Sequence, residues 1–348
     1  MSRRQRTIFL VSVILVIALS VLGLYLWGLS QRKYACPPLC TSQNLSGRSM
    51  KNAHLAGALL MDSNLSKADM VRADLTGANL TGAIMVQTNL ESAILTNARL
   101  VGVDLSGANL RNTIMEKVNL SGANLEGAAL TRVNLETALL RGAIFKGAKL
   151  IGTVLDGAQL SGVEISEANL SGASLVKTNL NGGVLTFSDF SGASMHQVSI
   201  TGSWINMVSL VGADMSDANL SASTFLGTDM TGTNLQNALL NGANLVGANL
   251  SGSDLRGADL TGAILVLPIP SGFGSDFSYD SLTGSALIDA LNSTDMSKVM
   301  ADSRISDLTE VRLKPLLKDA VLQGILYNQY TRWPVNFTIP SSAILKEQ

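Results

Sequence analysis

Few side chains in this sequence bear on chemistry. Cys36 and Cys40 are its two cysteines, and His54 and His196 its two histidines. The four make neither a structural zinc set nor a disulfide framework, and two distant histidines are a thin supply of general bases. Cys36 and Cys40 flank Pro37-Pro38-Leu39, which is not the Cys-x-x-Cys spacing of a redox dithiol. A disulfide between them needs an oxidising compartment and a turn that brings the Cα atoms within about 7 Å; bonded and free thiols both stay open. Glu116, Glu136 and Asp156 recur at a spacing of twenty. Carboxylates stacked on one line repel, so one should titrate high unless a divalent cation or a basic partner sits there. The other account is a solvated edge with Lys117 alongside. No nucleophile–base pair and no phosphate-binding glycine loop is evident, so neither catalysis nor a cofactor is expected.

What positions such residues is a repeat. Every fifth residue from Leu45 to Leu265 is Leu, Met, Ile or Phe, 45 consecutive positions without exception. Two residues before each, from Ala53 to Ala263, stands Ala, Ser, Thr, Val or Gly. Between them Asn and Asp recur, as in Ala73-Asp74-Leu75 and Ala108-Asn109-Leu110, and Gly often follows two places after the large residue, as at Gly77, Gly107 and Gly257. A period of five fits neither helix nor long strand. It fits two-to-three-residue strands broken by type II turns, with the large and small residues inward and three positions in water. Stacked turns of this kind pair their backbone between coils and bury a column of Leu against a column of Ala.

These residues resemble the pentapeptide-repeat family, whose consensus is Ala-(Asp/Asn)-Leu-x-x. The resemblance implies an all-β, right-handed quadrilateral parallel β-helix with four pentapeptides per coil. At roughly 4.8 Å per coil, about 11 coils make a rod near 53 Å long. The chain itself supports the twenty-residue coil. In steps of twenty the turn position from residue 52 reads Asn52, Arg72, Ser92, Asn112 and Arg132, then Gly from Gly152 to Gly252.

The coil divides the chain. Residues 1–30 are a basic tail and membrane anchor, 31–44 a linker with the cysteine pair, 45–267 the β-helix, and 268–348 a capping segment. From Thr7 to Leu29 there are 23 uncharged residues, enough to span a hydrocarbon core of about 30 Å. Arg3, Arg4 and Arg6 keep the amino end cytoplasmic and place the β-helix outside. In the cap, Pro268-Ile269-Pro270 breaks the register, residues 281–314 read as short helices, and Ala320 to Gly324 as a further repeat in shifted register. An open β-helix end needs such a cover, because unpaired strand edges polymerise. The stretch Tyr327 to Pro334 is similar to a closing segment in some bacterial family members.

Two surface groups follow from the twenty-residue coil. Val184, Phe187, Trp204, Met207 and Leu226 fall on one side at positions expected to face water. Such a patch needs a partner: the chain's own carboxy-terminal segment, a second protein or a homodimer mate. Lys51, Arg72, Arg111, Arg132 and Lys149 line another side, nearest the bilayer or simply solvated. The function expected is a non-enzymatic, membrane-tethered scaffold that offers its faces to an unidentified protein. The family resemblance implies an alternative, since some members imitate duplex DNA and bind and protect DNA gyrase. Such mimics are strongly acidic, whereas residues 51–265 hold 17 acidic against 12 basic groups, and the expected topology hides the rod from a cytoplasmic enzyme. A structural or ion-binding exported rod is the third reading. Direct nucleic-acid binding is not expected.

Overall fold

The computed structural model describes residues 40–265, 325–327, 331, 333 and 338–346. The anchor expected over Thr7–Leu29, Cys36, the helices expected over 281–314 and the repeat expected at 320–324 lie outside the described residues.

The five-residue period becomes a square spiral. From Asn44↔Asn64 to Asn244↔Ile264, every fifth residue bridges in parallel to the residue twenty places on, with no rung missing. Each side of the coil is one short rung: the small residue inward, the Asn, Asp or variable residue outward, the large residue inward. Leu75 to Ala78 shows the corner. Ala78 N–H donates to the Leu75 carbonyl at 2.9 Å, and Gly77 has φ +64°. That is the type II geometry expected from the glycine spacing. Among the described residues all 45 corners from Ser42 to Gly262 take a positive φ at this position, 25 of them at Gly and 20 at other residues, Thr137 among them. The inter-coil bonds therefore outweigh the left-handed strain that a side chain costs at each non-Gly corner.

The outward Asn or Asp has a local task. Thr76 N–H donates to Asp74 Oδ1 at 3.0 Å and Ser171 N–H to Asn169 Oδ1 at 2.9 Å, so the side chain caps the turn that follows it. Inside, the large residues from Leu60 to Leu265 are buried to 1% exposure or less, with Phe145, Phe190 and Phe225 the largest. Ser and Thr are tolerated at the small position because their hydroxyls find a carbonyl: Thr88 Oγ1 donates to Leu65 C=O and Thr178 Oγ1 to Leu155 C=O.

The described coil begins at Cys40, five residues ahead of Leu45. Cys40 takes a large-residue position, is 1% exposed, and donates its N–H to Leu59 C=O. At the other end two strands, β1 (Leu326–Tyr327) and β2 (Ile344–Leu345), continue one side of the spiral. Leu326 pairs in parallel with Asp259, and β2 pairs in parallel with β1 through Leu326↔Ile344 and Tyr327↔Leu345. Ile325 is buried in the same core as the coil, and Trp333 and Ala343 pack against it.

Candidate functional site

A solenoid with a filled axis leaves only its corners and outer rungs for binding. One corner is hollow. Where the turn column changes from Asn112 and Arg132 to Gly152 and Gly172, bulk is lost, and a groove of about 450 Å³ opens along the rod. Arg111, Arg132, Thr131 and Ser171 line it, with the side chain of Ile151 left 42% exposed. Neither guanidinium takes part in an ion pair among the described residues. The sequence places both arginines on a common side; the groove comes from the glycines beside them.

The three carboxylates stack as expected but do not converge. Lys117 N–H donates to Glu136 C=O and Thr137 N–H to Asp156 C=O, which sets them on successive coils. Glu116 Oε1 accepts from Asn134 Nδ2 at 2.8 Å, whereas Asp156 Oδ1 accepts from Ser174 Oγ at 2.6 Å and Val176 N–H at 3.0 Å. Each of these two is turned into the wall of the rod. No group of three or more His, Cys, Asp or Glu is gathered to hold a metal ion among the described residues.

The apolar group requires a correction. Val184, Phe187, Trp204 and Met207 are half-buried, and Leu226 is fully buried, not facing water. Leu226 occupies the first turn position after Phe225, which projects away from the axis.

Cys40 is disulfide-bonded, and Cys36 is the only other cysteine of the sequence. At the opposite end, Asp259 carries the cap. Burial pushes its carboxyl up, but the Lys346 ammonium, the Thr261 and Asn241 side chains and the Thr261 N–H outweigh this, and it is held at about 2 against an ordinary 3.8. A carboxylate held low stabilises the fold above its unfolded pKa and loses that contribution as pH falls through the folded one. The intact chain should thus exceed Lys346→Met in stability at neutral pH, by part of the contribution that the lowered Asp259 carboxyl makes. The difference should shrink between about pH 4 and 2 and vanish below. Denaturant unfolding of both chains across this range measures it.

The family pattern described as pentapeptide repeats matches residues 44–77, 73–112, 119–157, 164–202, 208–237 and 228–265. No curated protein matches. Among solved structures the chain is similar to HetL, a pentapeptide repeat protein involved in heterocyst differentiation regulation from Nostoc sp. strain PCC 7120. The identity is 28% over 68% of this chain and 95% of that one, with a TM-score of 0.32. It is also similar to QnrB1, a plasmid-mediated fluoroquinolone resistance protein, at 16% identity over 63% of this chain and 84% of that one, TM-score 0.31. A third is a pentapeptide repeat protein from the Arabidopsis thaliana thylakoid lumen, 32% identical over 34% of this chain and 68% of that one, TM-score 0.21.

Proposed function

The chain belongs to the pentapeptide-repeat family, and from that premise we propose that it is a non-enzymatic, membrane-tethered β-helical scaffold that binds an acidic protein surface along its basic side. The open groove of Arg111 and Arg132 over Ile151 carries this reading. Two guanidiniums without an ion pair among the described residues, flanking exposed apolar area, suit carboxylates set on a hydrophobic surface, and Arg is enriched at the centres of such interfaces. The rest of the rod supports a passive role. Its backbone bonds run between coils and its axis is packed with side chains, so what it offers is a fixed ladder of outward residues.

The tether rests on Thr7–Leu29 and the three arginines before it, which direct the amino end to the cytoplasm. A disulfide at Cys40 suits an oxidising compartment, as an exported rod would meet. A reporter fused after Gln348 should accordingly be active outside the cytoplasm. Activity only inside would overturn the topology and favour the gyrase-binding alternative. The full chain should capture a protein partner that the double variant Arg111→Glu/Arg132→Glu does not, with the far-ultraviolet spectrum unchanged. Equal capture by both chains would remove the basic side from consideration.

A further inference from the structure

At many corners an outward Asn or Asp caps the turn that follows it, but two corners in the middle of the basic groove go without. Their first residues are Thr131 and Ile151, and Ala129 and Lys149 stand where the capping side chain would be. Neither the Thr131 nor the Ile151 N–H has a hydrogen-bond partner among the described residues. On the coils to either side the cap is in place: Arg111 N–H donates to Asn109 Oδ1 at 3.3 Å and Ser171 N–H to Asn169 Oδ1 at 2.9 Å. Ala129 bridges Lys149, so the two open donors belong to successive coils, about 4.8 Å apart.

Elsewhere the chain repairs a missing cap from the coil before. Ser174, Ser199 and Thr224 do not cap the corners that follow them, and the oxygen comes instead from the residue twenty places before the donor. Asp156 Oδ1 accepts from Val176 N–H at 3.0 Å, Asn181 Oδ1 from Thr201 N–H at 2.8 Å and Asn206 Oδ1 from Leu226 N–H at 3.1 Å. For Thr131 the residue in that place is Arg111, whose guanidinium can only donate. For Ile151 it is Thr131, whose hydroxyl makes no bond to it. The chain therefore holds two backbone donors open and sets cations around them. Arg111, Arg132 and Lys149 are all exposed, and none forms an ion pair among the described residues.

Resting on the reading of the basic side as the partner-binding face, the geometry points to a seat for one carboxylate of the partner on the N–H groups of Thr131 and Ile151. An Asp or Glu side chain enters the groove, and each of its oxygens takes one of the two donors. It supplies from outside the cap that Ala129 and Lys149 omit, at a spot the chain fills on other coils with the oxygens of Asp156, Asn181 and Asn206. Three cations around the spot favour an ionised carboxylate over a neutral amide, because hydrogen bonds to a charged acceptor are the stronger ones. The approach is open: a Cβ placed at Gly172 would meet nothing within 4 Å. Exposed Ile151 gives the methylene stem of the incoming side chain an apolar surface to lie on.

Fluorescence anisotropy of a labelled hexaglutamate peptide, titrated with the full chain in detergent at low ionic strength, tests the seat. Arg111→Gln/Arg132→Gln should abolish binding. Ala129→Asn returns an amide oxygen to the Thr131 N–H without altering any charge, and should bind the peptide about tenfold more weakly. Ala129→Leu, of the same size but without the oxygen, should bind as the native chain does. Undiminished binding by Ala129→Asn, or equal weakening by Asn and Leu, would overturn the carboxylate seat and leave the basic side standing on the arginine variant. A native chain that does not bind the peptide, or binding indifferent to Arg111→Gln/Arg132→Gln, would overturn the basic side and the seat together.

Discussion

Phe145→Ala is expected to lower the stability of the rod by about 3–5 kcal/mol, while Ile144→Ala, one residue away, changes it by no more than about 0.5 kcal/mol. Phe145 is wholly buried in the large-residue column, between Leu125 one coil before and Ile165 one coil after. Ile144, bridging Asn124 and Glu164 on the outside of the same rung, is 37% exposed. Truncating Phe145 leaves a cavity that neighbouring rungs cannot close, because inter-coil bonds such as Phe145 N–H to Glu164 C=O at 2.7 Å fix their spacing. A solenoid's stability is a sum of nearest-neighbour terms, so the loss should fall on the middle of the rod and separate unfolding of its two halves. Denaturant titration followed by far-ultraviolet circular dichroism reads both effects. Equal losses from the two variants would contradict the alternation on which the whole spiral rests.

The spiral was legible because its determinant is local and repeated. A large apolar residue every five, a small one two before it and an Asn or Asp between them each map onto one position of one rung. Forty-five copies leave no competing period. Cys40 escaped the series because a cysteine invites a reading of its sulfur. Its place, five residues before Leu45, already put it in the apolar column, and a small apolar side chain fills that column well enough. Surface chemistry was less legible. The stacking of Glu116, Glu136 and Asp156 follows from the period, but whether their carboxylates meet depends on rotamers, and Ser174 and Asn134 draw two of them aside. The basic groove was half visible: Arg111 and Arg132 share a side by arithmetic, yet the hollow depends on volume missing at Gly152 and Gly172. Leu226 was misplaced for a different reason. The period gives the direction of a side chain from the axis, not the degree to which it is exposed.

Ending the chain at Gly324 is expected to convert the protein into end-to-end assemblies whose apparent mass rises with concentration, over a range in which the intact chain keeps one mass. The deletion removes β1 and β2. It strips Leu260 N–H of its 2.8 Å bond to Leu326 C=O and Ala258 C=O of its bond from Leu326 N–H. It also uncovers the apolar end of the axis, where Ile325, Trp333 and Ala343 now pack, and the carbonyl of Leu260 that accepts from Thr331 Oγ1 at 2.8 Å. An edge with both unpaired ladder groups and exposed Leu side chains is a template for another copy. The native cap avoids this by ending in a short, charged edge: β2 has two residues, and Lys346 beside it is tied to Asp259. Short edges bearing lysine resist further strand addition. Sedimentation of the truncated chain at several concentrations, with and without a synthetic peptide of residues 325–348, separates the causes. Reversal of assembly by the peptide is expected, since it can refill the same rungs. A truncated chain that keeps the intact chain's mass at every concentration would show that β1 and β2 are not what closes this end of the rod.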